Sequence, residues 1–149
     1  MIAFIRPHAW DLPLFLHVFG AMLLFGSTLA TVGLSWAGPR APALARSTFW
    51  TLIAGAIPAW ILMRAGAAWI YAKEHHHLFQ KDPSWIGVGF IVAEPGLLIL
   101  LLATGFAFWW KRSQKPVAGK VVAGLSTLYL VMLAIAWLAM SGKWGGVAG

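Results

Sequence analysis

No cysteine occurs in the chain. That excludes disulfides, iron–sulfur clusters and thiolate metal sites. Charge is nearly as scarce: 10% of the 149 residues are charged, where an ordinary soluble domain carries about a quarter. The shortage is lopsided, with four acidic residues against eleven basic ones. A glycine-rich phosphate loop, an HExxH pair and a strand–turn–helix setting for any serine are all missing, so no soluble-enzyme chemistry announces itself and no reaction is evident. The first residues show neither a basic leader segment nor a small-residue cleavage site, and the first apolar run is therefore expected to be retained.

What fills the chain instead is apolar surface: 60% hydrophobic residues and a mean hydropathy of +0.79. The expected class is an integral membrane protein whose first partner is the lipid bilayer. The net charge of +7 and isoelectric point near 10.4 do not indicate nucleic acid, because the basic residues lie mainly between apolar runs and read as topology and headgroup signals.

A bilayer core needs about 20 apolar residues in a helix, and four runs meet that length, at about 12–36, 47–72, 85–110 and 121–140. Four spans with short links predict an all-α, up-down-up-down four-helix membrane bundle forming a single domain over 1–149. The links at 38–46 and 111–120 carry Arg40, Arg46, Lys111, Arg112, Lys115 and Lys120, while the link between them balances Lys73 and Lys81 with Glu74 and Asp82. The positive-inside rule places the two basic links in the cytoplasm of a bacterial inner membrane and both termini outside. Trp10, Trp69, Trp85 and Trp144 then fall at the outer boundary and Trp36, Trp50, Trp109 and Trp110 at the inner one, as aromatic belts do. Trp60 and Trp137 fall deeper and are expected to fill the interior.

Within the second run, PAWILMRAGAAWIYAK places Arg64 in an apolar helix. A permanent cation there costs roughly 3 kcal/mol on insertion scales, and arginine cannot shed its proton. A carboxylate, a wet cavity or an anionic ligand must face it. Glu94 lies in the third run, nine residues after Trp85, and Arg64 lies nine residues before Lys73, each roughly 13 Å from its helix end. His17, six residues after Asp11, lies roughly 9 Å in. The common depth predicts one shared polar site in the outer half. Tyr71 is an additional donor nearer its mouth, and Trp60 is one turn from Arg64. From His17 the helical stripe Gly20, Leu24, Ser27, Thr28 and Thr31 suits close helix contact. From Glu94 the corresponding stripe runs through Phe90, Leu97 and Leu101. Pro58 and Pro95 free the carbonyls of Ala54 and Ile91.

Two interpretations of Arg64 and Glu94 stand together: a structural salt bridge between helices, or a working ion, proton or anion site. For His17 the pair is an interhelical hydrogen bond or axial ligation of haem b, with Arg64 then free to hold a propionate. His8, His75, His76 and His77 are interfacial.

FLHVFGAMLLFG, with its histidine near the start of helix one, is similar to the opening helix of copper-resistance D-type and HemJ-type membrane proteins, and that likeness implies redox chemistry or metal handling. The apolar runs contain no lysine, which a HemJ-type chain has in a later helix. The pair MRAGAAWIYAKE and WIGVGFIVAEPGLL resembles small four-helix proteins of actinobacterial type. The expected role is a membrane subunit or ligand-binding module for haem or another anionic amphiphile, acting with other membrane subunits or as a homo-oligomer. A small transporter or proton conductor is the alternative, and a membrane redox enzyme comes third.

Overall fold

The computed structural model describes residues 11–74 and 84–143, so His8, His75, His76, His77, Trp10 and Trp144 lie outside the described residues. Every element found there is helical: α1 (Asp11–Ala37), α2 (Pro42–Trp50), α3 (Ile57–Glu74), α4 (Ser84–Ser113) and α5 (Pro116–Leu138). A π-helical stretch, Thr51–Ala56, joins α2 to α3 in one continuous rod, and a second, Ala139–Lys143, extends α5. Counting that rod once, four helices among the described residues are long and apolar enough to cross a membrane.

The rods begin earlier than their apolar runs. Proline at the first helical position has its φ preset and loses no helical hydrogen bond, and Pro42 and Pro116 open α2 and α5 in this way. A hydropathy window misses these first turns because Arg46 and Lys120 lie in them. α4 ends sharply at Gln114, whose φ of 55° is left-handed. Its amide donates to the Trp110 carbonyl at 2.8 Å and its side-chain Nε2 to the Lys111 carbonyl at 2.8 Å, so carbonyls left over at the helix end find donors.

The rods are arranged as a ring. α1 packs against α3 on one side and α5 on the other, and α4 packs against α5. The ring is closed where α2 meets α4, but α3 touches α4 only slightly. Glycine sets the tightest seam. A Cβ on Gly66 would lie 2.5 Å from the His17 nitrogen and 2.8 Å from the Pro13 carbonyl, and one on Gly20 would strike the Met63 backbone. α1 and α3 thus meet backbone to backbone, as small residues allow. Gly96 of α4 serves the Tyr129 ring of α5 likewise. The interior is filled by Leu24, Leu52, Val92, Leu100, Val122 and Tyr129.

Two tryptophans depart from the belt reading. Trp110 is fully buried, with its indole N–H donating to the Pro39 carbonyl at 3.0 Å, so it ties the end of α4 to the first link. Trp137, expected inside, is 69% exposed. Trp36, Trp50, Trp69 and Trp109 face outward.

Candidate functional site at the α3–α4 seam

Proline shapes both walls of the seam. Pro58 has no amide hydrogen, and just before it the backbone widens to a π turn in which the Ile57 amide reaches the Leu52 carbonyl. Such a turn absorbs the lost bond and re-aims the residues beyond it. On α4, Pro95 sits inside the helix. The Trp60 indole N–H donates across the seam to the Ala93 carbonyl at 3.0 Å, two residues ahead of that proline.

One turn beyond Trp60, Arg64 crosses to Glu94. Its Nε and Nη2 both donate to the same carboxylate oxygen, Oε1, at 3.1 and 3.0 Å. The guanidinium also lies over the Phe90 ring, 5.0 Å from its centroid. Tyr71 meets that ring edge-on at 5.8 Å, so the surface carrying the cation is itself supported. The seam therefore brings together four of the five residues expected at a site: Arg64, Glu94, Tyr71 and Trp60.

The pair is not enclosed. Side-chain exposure is 27% for Arg64 and 58% for Glu94. The stripe through Phe90, Glu94 and Leu101 is the outer face of α4, whereas Val92, Ala93, Gly96 and Leu100 form its inner face. Depth along a helix fixes height but not the direction in which a side chain leaves the axis, and for Glu94 that direction is outward. The pair thus sits on the outward side of a seam that side chains bridge while the two helix backbones approach closely at few places.

His17 is held elsewhere. Its Nδ1 is 3.0 Å from the Met63 carbonyl, on the α1–α3 seam. A carbonyl only accepts, so Nδ1 carries a proton and donates it here. The bond attaches His17 to the backbone of α3 rather than to the side chain of Arg64. On both sides of it the α1 and α3 backbones touch, at Gly20 and Gly66. A porphyrin plane could enter there only if the two helices separated. Among the described residues no group of three or more histidines and carboxylates is placed to hold a metal ion.

Four side-chain oxygens in the core, on Ser35, Thr48, Ser126 and Tyr129, are buried without a hydrogen-bond partner among the described residues. Hydropathy does not single out any of the four, since serine and threonine in an apolar run resemble other small residues and tyrosine resembles any other aromatic residue.

Fold and site together define a class: a small all-helical protein of four membrane-length rods with an ion pair at a lateral seam. Compared with protein-family models, with curated proteins and with solved structures, the chain matches none.

Proposed function

We propose that the chain is a membrane-embedded binding module. Its rods cross a bacterial inner membrane up-down-up-down with both termini outside, and the α3–α4 opening receives the polar end of an amphiphile from the surrounding leaflet. One observation carries this proposal. Arg64 and Glu94 are paired through a single oxygen on the outward face of a seam that side chains bridge and where the helix backbones approach closely at few places. Charges at that height are unfavourable beside lipid chains, and a polar head group seated on them supplies the missing partners. Arg64 is the anion-binding group, Glu94 its resident counter-ion, and Phe90, Tyr71 and Trp60 the wall. His17 acts as a structural link between α1 and α3. That arrangement favours an amphiphile without a metal over haem b. The module works beside other membrane subunits or a second copy of itself.

The test is retention of a bound molecule. Purified in mild detergent, the protein should carry an amphiphile detectable by native mass spectrometry, and Arg64→Met should lose it. Equal retention by both proteins would refute the proposal.

The exposed carboxylate of Glu94 supports a second reading, proton or ion conduction along the seam. Flux in liposomes that Glu94→Gln abolishes would establish it.

A further inference from the structure

The hydrogen-bond pattern of the pair narrows the ligand. Nε and Nη2 of Arg64 converge on Oε1 of Glu94. A guanidinium has five N–H donors and a carboxylate two accepting oxygens, so the usual fork-to-fork match would engage both oxygens. Here Nη1 on one side and Oε2 on the other remain to be engaged among the described residues. Phe90 covers one face of the guanidinium, and Nη1 lies across Cζ from the shared Oε1, so a ligand that engages both Nη1 and Oε2 must come from the exposed rim of the pair and span it.

Charge narrows the choice further. Arg64 and Glu94 together are neutral. A simple anion would leave a net negative charge on the site and a simple cation a net positive one, each costly where the dielectric is low. A ligand carrying both an anionic acceptor and a cationic N–H donor leaves the site neutral and engages both atoms.

Resting on the binding-module proposal, we infer that the seam selects a zwitterionic amino-phosphate group, its phosphate oxygen accepting from Nη1 of Arg64 and its ammonium donating to Oε2 of Glu94. Phosphoethanolamine is the chemistry that fits, as a lipid head group or as a free solute. Phosphocholine carries the same charges, but its quaternary nitrogen has no N–H to donate. Phosphoglycerol has the anion without the cation. Access matches a lipid source: Trp69, five residues from Arg64 towards the α3 terminus, is exposed with Lys73 over its ring at 5.4 Å. Along the axis Trp69 lies roughly 7 Å and Lys73 roughly 13 Å from Arg64.

The experiment is a competition. Wild-type protein in detergent micelles is offered equal amounts of phosphatidylethanolamine, phosphatidylcholine and phosphatidylglycerol of one chain composition, and bound lipid is read by native mass spectrometry. The ethanolamine lipid should be retained about tenfold over either competitor, the ratio expected when one charge-assisted hydrogen bond of roughly 1.4 kcal/mol is at stake. Glu94→Gln should reduce the ethanolamine-over-choline ratio to about one, whereas Arg64→Met should lower binding of all three phospholipids. Displacement by water-soluble glycerophosphoethanolamine would identify the head group alone as the ligand, and resistance to it would identify the whole lipid; the zwitterion is supported either way. If phosphatidylglycerol or phosphatidylcholine binds as well as phosphatidylethanolamine while Arg64→Met still loses lipid, the selection of an amino-phosphate is overturned and the binding module survives. If no lipid is retained beyond the Arg64→Met level, both fall.

Discussion

Removing the charges at the seam one at a time and then together measures what surrounds them. The pair makes two N–H···O bonds, at 3.1 and 3.0 Å, to one oxygen. A hydrogen bond to a charged group contributes about 1.5–3 kcal/mol, and two that share an acceptor contribute less than twice that, so about 3 kcal/mol is a fair total for the pair. The Phe90 contact adds about 0.5–1 kcal/mol, which only loss of Arg64 removes. Glu94→Gln keeps an accepting oxygen but strands the cation, and should cost about 2 kcal/mol. Arg64→Met strands the carboxylate and empties the ring face, and should cost about 3 kcal/mol. With both changes neither charge remains, and the double variant should lose only about 1–2 kcal/mol. The coupling is then about 3–4 kcal/mol, far above the roughly 0.2–1 kcal/mol of an ion pair in water. Reversible unfolding in mixed micelles of dodecyl maltoside and dodecyl sulfate, followed by far-UV circular dichroism, gives all four free energies. A coupling below about 0.5 kcal/mol would mean that water solvates the pair fully, and the case for a seam facing lipid or a ligand would collapse.

Three further expectations use the same unfolding assay. Gly66→Ala forces a Cβ against the His17 and Pro13 backbones and should lose about 1–2 kcal/mol despite better helix propensity, whereas Gly33→Ala, with nothing within 4 Å, should gain up to about 1 kcal/mol; equal effects would disprove the backbone contact. His17→Ala should lose about 1 kcal/mol while His17→Asn, which retains a donor near the Nδ1 position, should lose less; no difference between them would deny the bond to Met63. The Tyr129 hydroxyl is fully buried without a partner among the described residues, so Tyr129→Phe should be neutral or stabilising by about 1 kcal/mol, and a loss of that size would instead reveal a bound water or ligand.

The parts of this molecule that were legible in its sequence are those that hydropathy and height along a helix determine. The four rods follow from apolar length. The meeting of Arg64 with Glu94 follows from equal depth and from the cost of leaving a guanidinium in hydrocarbon without a counter-charge. Direction around the axis is what failed to carry over. His17 makes the interhelical hydrogen bond that is one of its two readings, but to the α3 backbone and not at a site shared with Arg64; Glu94 faces outward; Trp110 and Trp137 exchange the interior and exterior positions assigned to them. Each successive residue turns about 100° around a helix, and height alone does not give that angle; within the second rod the π turn at Thr51–Ala56 further rotates everything after it relative to any count made from the rod's start. No apolar window records that rotation.

The same turn explains why a seam exists at all. α2 and α3 belong to one rod that packs on α1 throughout, but α2 lies against α4 as well, whereas α3 is drawn to α1 and away from α4. The α1–α3 contact is close because Gly20 and Gly66 let two backbones touch and His17 bonds across them. A rod held that closely to α1 does not also lie flush on α4, and Pro58 with its π turn is where it draws away from α4. What then bridges α3 to α4 is reach rather than contact. Trp60 and Arg64 extend across to the Ala93 carbonyl and the Glu94 carboxylate. Long polar side chains can hold two helices at a distance that aliphatic side chains would close, and the surface between them is then both polar and open from the side. Replacing Trp60 and Arg64 by leucine should therefore bring α3 and α4 together and remove the opening. Distances between spin labels at exposed Ala68 of α3 and Ile91 of α4 should shorten in that double variant, and unchanged distances would show that the opening is set by the helix backbones alone.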